Sequence, residues 1–168
     1  MEIRNIPSGT TYTQRDYMTH EKLIIPLQQL WADNFLVYFK AHSFHFNVQG
    51  ETFGQDHALF QEIYDYLWGQ HDVLGEQIRQ MDKPVLTSLK LVMAASSIKE
   101  ATPKQKEAKE MLDEISNDIS CLLDCTQALY DKAEECCCAG LSTILGDYSS
   151  ALSKLNWKCK ASIGRSIK

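Results

Sequence analysis

The sequence contains no apolar run that approaches the ~20 residues of a transmembrane helix. Residues 1–20 also lack the apolar core of a secretory signal, so we expect a cytoplasmic protein with no membrane partner. A strong excess of one charge is missing too, because 17 lysines and arginines face 22 acidic residues and leave a net charge of −5. This balance argues against a surface built throughout to hold DNA or an anionic membrane.

A disulfide framework is absent as well, although the chain has six cysteines. They are Cys121, Cys125, Cys136, Cys137, Cys138 and Cys159. Three of them are adjacent, and a chain of 168 residues can bury a stable core without cross-links. We therefore expect buried small residues in a reduced cytoplasm. Metal binding by the three adjacent cysteines is the alternative, but neighbouring side chains on a helix point apart.

Strand-like alternation is absent, and four long segments instead carry a helical periodicity. The predicted helices run from about Glu21 or Pro26 to Asn47, from about Thr52 to Met81, from Thr102 towards the adjacent cysteines, and onwards from Gly140. The connection 82–102 is long enough to cross a bundle and contains a short helical segment, Ser88–Ala94. We predict one all-α domain, residues 21–168, preceded by a flexible tail, residues 1–20. Its fold is a four-helix bundle with a short extra helix in the long crossover connection.

Local signals predict where the helices begin and which faces they bury. Pro26 fits the first turn of the first helix, and Thr102 with Pro103 fits the cap and first turn of the third. The second helix carries an apolar stripe with spacings of three and four residues. The stripe is Phe53, His57, Phe60, Tyr64, Leu67, His71, Leu74, Ile78 and Met81.

Two histidines and two acidic residues form the most informative pattern of the chain. His45, His57, Asp72 and Glu76 fall within the segment 45–76. Imidazoles and carboxylates together suit a first-row metal such as iron, manganese or zinc. Asp72 and Glu76 are four residues apart, so they share one face of the second helix.

The spacing between His57 and Asp72 predicts how such a metal site is assembled. Fifteen residues of helix separate the two positions, which is about 22 Å along the axis. One chain therefore cannot close all four side chains around a single ion. At about 100° per residue, however, His57 and Asp72 lie on nearly the same side of the helix. Two such helices, antiparallel across a two-fold axis, would bring the histidine end of one to the acidic end of the other, which predicts a site shared between subunits.

The sequence lacks the Glu-x-x-His pairs with which other four-helix proteins build a two-metal site inside one bundle. This absence argues against a metal enzyme of that kind. Two interpretations without metal remain open. His45 and His57 could be buried histidines satisfied by hydrogen bonds, and Asp72 and Glu76 could belong to a solvated acidic face.

The segment from His45 to Gly50, followed by His57, Asp72 and Glu76 at their spacings, resembles the Dps mini-ferritins (DNA-protection-during-starvation proteins). The resemblance covers about residues 25–165. It implies a ferritin-like bundle, a dodecameric hollow shell and ferroxidase centres at two-fold interfaces. His45 and His57 would come from one subunit, and Asp72 and Glu76 from its neighbour. The implied function is oxidation of Fe(II), preferably by hydrogen peroxide rather than oxygen, with storage of ferric iron and protection against oxidative damage.

The chain departs from the family pattern close to these residues. Gln61 stands where the family usually has an acidic residue four positions after the second histidine, and we expect it to bind iron only weakly. Phe46 replaces the usual tryptophan, and Gly75 replaces an alanine before the last ligand. A weakened centre suggests an alternative function, in which the chain forms a DNA-binding, DNA-compacting protective shell.

The distribution of basic residues bears on that alternative. Residues 1–20 carry no net charge, whereas no acidic residue follows Asp147. The basic residues after it include Lys154, Lys158, Lys160, Arg165 and Lys168. Several such segments on one shell could hold phosphates together. The same basic residues could instead interact with the negative C-terminal end of the dipole of the last helix. DNA is therefore a possible partner that we do not favour.

Three further side chains precede His45 at helical spacing. His42 lies three residues before His45, and we expect a structural or interface role for it. Trp31 and Tyr38 lie further back on the same helix. Both could quench radicals near iron, with core packing as the default expectation.

Overall fold

The computed structural model describes the backbone of residues 14–102 and 104–164, and the side chains of the same residues from Glu21 onwards. Five helices account for most of this part of the chain. They are α1 (Gln14–Asn47), α2 (Phe53–Gln80), α3 (Leu89–Ala95), α4 (Ala108–Glu135) and α5 (Ala139–Ser162). The described residues contain no strand. None of the helices in these residues is both long enough and apolar enough to cross a membrane.

The four long helices pack as two hairpins around one apolar core. α1 packs against α2, α4 packs against α5, and the first hairpin joins the second chiefly through α1 and α4. Aliphatic side chains fill the centre, and many of them are completely buried. Fully burying a side chain of this size contributes about 1.5–3 kcal/mol, so the core is the main source of stability. The all-α four-helix bundle with a short helix in the crossover is thus confirmed.

The first helix begins earlier than the sequence indicates. α1 begins at Gln14, so the predicted start at Glu21 or Pro26 was wrong. Pro26 lies well inside α1 rather than in its first turn. A proline there removes one backbone hydrogen bond but does not end the helix, because the flanking Leu23 and Leu27 are fully buried in the core. The tail prediction for residues 1–20 stays a prediction, because residues 1–13 lie outside the described part.

The predicted start of α4 was also misplaced, whereas α5 begins at Ala139, one residue before the predicted Gly140. α4 begins at Ala108 rather than at Thr102, and Pro103 lies outside the described residues. Its first turn is fixed by the Glu110 carboxylate, which accepts a hydrogen bond from the backbone N–H of Glu107 at 3.1 Å. α5 already includes Gly140. The corner before it is formed instead by Cys137, whose φ of 57° lies in the left-handed region that glycine normally occupies at the end of a helix.

The stripe predicted for α2 is only partly buried. Its aliphatic members and Phe60 lie in the core, together with Leu59 and Ile63, which were not predicted. Phe53 is exposed, and His57, Tyr64 and His71 are half-buried. A spacing that averages 3.5 residues drifts by ~20° per seven residues on a straight helix, so one edge of the stripe leaves the core. That edge carries the aromatic and histidine side chains described below.

The crossover connection is attached to the bundle through one buried carboxylate. Asp33 on α1 is 1% exposed and lies beside the segment 96–98. Its oxygens accept hydrogen bonds from the Ser96 hydroxyl at 2.5 Å, from the Ser97 backbone N–H at 2.6 Å and from the Ser97 hydroxyl at 3.0 Å. These bonds hold the connection against α1, where α3 also packs.

The six cysteines form no disulfide, as predicted, but only Cys159 is buried. The expectation of six buried thiols was therefore wrong. Cys125 is half-buried and donates from Sγ to a carboxylate oxygen of Asp33 at 3.7 Å. Burial and the neighbouring Asp33 raise the pKa of the Cys125 thiol to about 11, and burial together with nearby acids also raises that of Cys121. Both thiols therefore stay protonated at neutral pH and are poor nucleophiles and metal ligands.

Candidate metal centre

The turn between α1 and α2 brings His45 and His57 together. His45 lies in the last turn of α1, and His57 follows the first turn of α2. Thr52 donates its hydroxyl hydrogen bond to the Asp56 carboxylate at 2.7 Å, which fixes the start of α2 beside His57. The two imidazole rings are stacked, with centroids 3.6 Å apart and an angle of 22° between their planes.

A reciprocal pair of hydrogen bonds fixes the chemistry of both rings. His45 Nδ1 contacts the backbone carbonyl of His57 at 2.9 Å, and His57 Nδ1 contacts the backbone carbonyl of His45 at 2.8 Å. A carbonyl oxygen can only accept, so each Nδ1 must carry the proton. In the neutral rings each Nε2 then has a free lone pair, which is the form that binds a metal. The alternative considered above was that both histidines are buried and fully satisfied by hydrogen bonds. These hydrogen bonds satisfy only one of the two nitrogens of each ring.

The surroundings of the pair are apolar and aromatic. His45 is 8% exposed, and His57 is half-buried. Phe46 lies edge-on to His45 at 5.3 Å between centroids, Phe53 lies 5.0 Å from His57, and Tyr64 lies edge-on to His45 at 5.2 Å.

Asp72 and Glu76 lie on α2, far from the histidine pair of their own chain. Both carboxylates are exposed to solvent within the single chain, on one face of the helix. Fifteen residues of helix, or about 22 Å, separate Asp72 from His57. Within the described residues, no group of three or more histidine, cysteine or acidic side chains of this chain could hold a metal ion. The structure thus joins His45 to His57 and leaves Asp72 and Glu76 apart from them.

Gln61 is exposed one turn after His57 on α2. Its position four residues on places the amide on the same side of the helix as the His57 ring. An amide oxygen is a neutral donor, whereas hard cations such as Fe(III) favour anionic oxygen. The side chain one helical turn beyond His57 is therefore a neutral amide rather than a carboxylate.

The structure explains the glycine that precedes Glu76. A Cβ atom on Gly75 would lie 3.2 Å from Nε1 of Trp31 on the neighbouring helix. That indole nitrogen donates a hydrogen bond to the backbone carbonyl of His71 at 3.0 Å, and the Trp31 ring stacks on the His71 ring with centroids 4.1 Å apart. Gly75 thus admits Trp31 to the surface of α2. Burial is the main cause of the lowered pKa of His71.

Aromatic side chains also connect the histidine pair to the middle of the hairpin, a feature that sequence reasoning missed. His42 stacks on Tyr64 with centroids 4.2 Å apart and on Phe46 at 4.7 Å. Tyr38 lies 5.8 Å from His42 and 5.2 Å from Trp68. These aromatic and histidine side chains do recur in the sequence at spacings of three and four residues. Apolar periodicity, however, cannot distinguish contacts in the core from contacts along the edge of a helix.

The C-terminal basic residues are less available than the sequence suggests. Lys158 forms an ion pair with Glu62 on α2, with Nζ 2.5 Å from Oε1. Lys154 is exposed and Lys160 is half-buried, while Arg165 and Lys168 lie outside the described residues. One of the positive charges considered for DNA is therefore neutralised within the chain.

Comparison with known proteins gives one consistent family. The ferritin-like domain family matches residues 26–166. The chain is 30% identical over 142 residues to a DNA protection during starvation protein of Brevibacillus brevis, covering 84% of this chain and 95% of that protein. It is 30% identical over 135 residues to the protein of the same name from Helicobacter pylori, covering 80% and 94%.

A solved structure agrees with these sequence relatives. The Dps protein from Vibrio cholerae O1, described as a member of a broad superfamily of ferritin-like diiron-carboxylate proteins, superimposes with a TM-score of 0.83 at 28% identity. The match covers 88% of this chain and 92% of the Vibrio chain. The chain therefore belongs to the ferritin-like family and, within it, to the Dps proteins.

Proposed function

We propose that this protein is a ferroxidase that oxidises Fe(II) and stores ferric iron inside a hollow homo-oligomeric shell, in the cytoplasm. The observation that carries the proposal is the His45–His57 pair, whose Nε2 lone pairs are fixed by two backbone carbonyls. Side chains with a purely structural role would not need the same free nitrogen on both stacked rings. Membership of the Dps proteins supports the same chemistry.

The geometry of α2 supports a site shared between two chains. Asp72 and Glu76 lie too far along this helix to join the histidines of their own chain. Two copies of α2 packed antiparallel across a two-fold axis would supply the carboxylates of one chain to the histidines of the other. Exposed Trp68 lies between the two ends of α2 and is a suitable contact for such an interface. A dodecamer, as the family resemblance implies, would contain several such interfaces.

Each ligand type would contribute a different property to the reaction. Neutral imidazoles accept Fe(II), the substrate, without adding charge to a partly buried site. The anionic oxygens of Asp72 and Glu76 stabilise Fe(III) more than Fe(II), which favours oxidation. Two Fe(II) ions supply the two electrons that convert one hydrogen peroxide and two protons into two waters. Consuming peroxide and Fe(II) together removes the reactants from which hydroxyl radical forms.

The direct test is to follow Fe(II) oxidation optically with purified protein, using hydrogen peroxide and oxygen separately. The proposal expects faster oxidation with peroxide than with oxygen. Ferric iron should afterwards co-elute with a protein assembly much larger than one chain of 19.1 kDa. An oxidation rate equal to that of buffer alone would contradict the proposal.

Gln61 gives a prediction about affinity. Gln61→Glu adds an anionic oxygen one turn from His57, so it should strengthen iron binding by about tenfold, the effect of roughly 1.4 kcal/mol of added interaction. Anaerobic titration calorimetry with Fe(II) would measure the change. Gln127→Glu is the matched control, because it adds the same charge to an exposed position on α4. Equal affinities for the Gln61→Glu and unchanged proteins would mean that Gln61 does not face the metal.

A DNA-compacting shell with a weakened metal site remains the alternative function. The absence of acidic residues after Asp147 favours it, and the ion pair of Lys158 with Glu62 weakens it. DNA retardation that disappears steeply as salt increases, together with no peroxide-dependent oxidation of Fe(II), would favour this alternative.

A further inference from the structure

The turn of α2 that carries Asp72 lies between two glycines, Gly69 and Gly75. Glycine weakens the interior of a helix, because it loses more backbone freedom on folding than any other residue and has no side chain to pack. Asp72 and Glu76 are themselves exposed. The positions of their carboxylates therefore depend on how firmly the backbone of this part of α2 is held.

Trp31 holds this turn from the neighbouring helix. Trp31 lies on α1 and is 8% exposed, and its Nε1 donates a hydrogen bond to the backbone carbonyl of His71 at 3.0 Å. In an α-helix the same carbonyl also accepts from the N–H of Gly75, and a carbonyl oxygen has two lone pairs for two donors. This carbonyl belongs to the peptide unit that joins His71 to Asp72. The indole therefore binds the backbone directly before the first carboxylate.

The absence of a side chain at Gly75 lets the indole reach that carbonyl. A Cβ atom on Gly75 would lie 3.2 Å from Nε1 of Trp31, so the indole would have to move away. The Trp31 ring also stacks on the His71 ring, with centroids 4.1 Å apart and an angle of 26° between the planes. A buried tryptophan N–H usually finds an acceptor. Here the acceptor precedes Asp72, and the glycine that gives access to it precedes Glu76.

We propose that Trp31 is a positioning residue, which fixes the α2 turn from His71 to Gly75 and thereby the carboxylates that this chain presents to a neighbouring chain. The inference rests on the proposed function, because the position of Asp72 and Glu76 matters to the reaction only if they bind iron. Trp31 acts through the backbone and touches neither iron nor peroxide. A displacement of about 1 Å at a reacting group can cost about 100-fold in rate, so a contact that holds the backbone affects the chemistry.

The test follows which of the two chains of a shared site carries the substitution. A carboxylate chain, with His45→Ala and His57→Ala, can supply only carboxylates to a site. A histidine chain, with Asp72→Ala and Glu76→Ala, can supply only histidines. Equal amounts of the two full-length chains are dissociated, mixed and reassembled, and peroxide-driven Fe(II) oxidation is measured. Trp31→Phe, which keeps an aromatic ring but removes the N–H, is placed first in one chain and then in the other.

Trp31→Phe in the carboxylate chain should lower the activity of the mixture by about tenfold, the lower end of the loss expected when an outer partner of a metal ligand is removed. The same substitution in the histidine chain should have an effect several times smaller. A general loss of stability would act equally from either chain, so the difference between the two mixtures measures positioning alone. Anaerobic absorption titration with Co(II), a probe that needs no turnover, should show weaker binding in the same mixture.

Gly75→Ala is a second way to displace the indole and does not depend on how well the Trp31→Phe protein folds. Alone it should slow Fe(II) oxidation several-fold, because its Cβ pushes Nε1 away from the His71 carbonyl. Added to Trp31→Phe it should cost little more, because the hydrogen bond is already lost. Trp157→Phe is the matched control, since Trp157 is exposed on α5, and it should leave the rate within about twofold.

The outcomes separate this inference from the proposed function. If neither the unchanged protein nor the mixture oxidises Fe(II), the proposed function fails and this inference fails with it. If the mixture is active but Trp31→Phe has the same effect from either chain, or no effect, only the positioning role of Trp31 is overturned. A loss that follows the carboxylate chain, with Gly75→Ala and Trp31→Phe not additive, establishes that role.

Discussion

His45→Ala and Asp72→Ala should each slow peroxide-driven oxidation of Fe(II) by at least about 100-fold. Losing an outer partner of a metal ligand already costs 10–100-fold, so losing the ligand itself should cost no less. His45→Ala removes one of the two Nε2 lone pairs, and Asp72→Ala removes an anionic oxygen. The initial rate of Fe(II) oxidation, measured optically at equal chain concentration, checks the prediction.

Controls for this prediction separate site chemistry from folding. Asp124→Ala removes an exposed carboxylate from α4 and should leave the oxidation rate within about twofold, as expected for a surface substitution away from the site. All variants should elute at the volume of the unchanged protein. An Asp72→Ala protein that assembles normally and oxidises Fe(II) at the full rate would remove Asp72 from the site.

Lys40→Met should lower the free energy of unfolding by about 3 kcal/mol at neutral pH, the cost of breaking a buried ion pair by removing one partner. Lys40 is 3% exposed, and its Nζ lies 3.0 Å from Glu114 Oε1 and 2.7 Å from Asp118 Oδ2. Lys106 also contacts Glu114. Methionine would fill much of the same space but leave two acidic side chains facing each other without the buried cation.

The pH dependence of this loss follows from the two carboxyl groups. Burial raises the pKa of Asp118, and its hydrogen bond with Lys40 only partly offsets this effect. Burial acts in the same direction on Glu114, but hydrogen bonds from Lys106 and Lys40 outweigh it and lower its pKa. The lowered pKa of Glu114 stabilises the fold at every pH above the pKa that Glu114 has in the unfolded chain. That contribution is lost as the pH falls through the lowered pKa of the folded protein. Without Lys40 both pKa values rise, so both groups take up protons more readily in the fold.

The stability difference between Lys40→Met and the unchanged protein should therefore narrow as the pH falls from neutral towards about 4. Urea unfolding followed by circular dichroism, at matched chain concentration, measures the difference at each pH. Lys83→Met is the matched control, because Lys83 pairs with Glu21 near the surface and its loss should cost no more than about 1 kcal/mol. If Lys40→Met lowers the free energy of unfolding by as little as this, or by an amount that does not change with pH, the stabilising role of the buried Lys40 ion pair would be contradicted.

Much of the fold could be predicted because its signals are local and periodic. The aliphatic positions predicted for α2, from Leu67 to Met81, are buried, and the long crossover does carry a short helix, as predicted. Helix ends were less predictable. Pro26 lies inside α1 because burial of its neighbours outweighs a lost hydrogen bond. Cys137 forms the α4–α5 corner in the left-handed backbone conformation, which a sequence-based prediction would assign to glycine.

The candidate site was predictable in its residue types but not in its chemistry. The family resemblance implied that His45 and His57 belong to one subunit's half of the site, and the helical distance from His57 to Asp72 indicated that Asp72 would not join them in one chain. The protonation of each ring depends on backbone carbonyls of the opposite histidine, which no residue pattern encodes. The hydrogen bonds of Asp33 were equally unpredictable, because its partners lie more than 60 residues away along the chain.

Mixing two inactive variants tests whether each iron site is built from two chains. One variant carries His45→Ala and His57→Ala, and the other carries Asp72→Ala and Glu76→Ala. The two proteins are dissociated, mixed in equal amounts and reassembled, and peroxide-driven Fe(II) oxidation is measured. Half of the two-fold interfaces should then pair unlike chains. Each interface between unlike chains has one intact site out of two. About a quarter of the unchanged protein's activity should therefore return. Each variant reassembled alone should stay inactive. A mixture that assembles fully but remains as inactive as its components would contradict a site shared between chains.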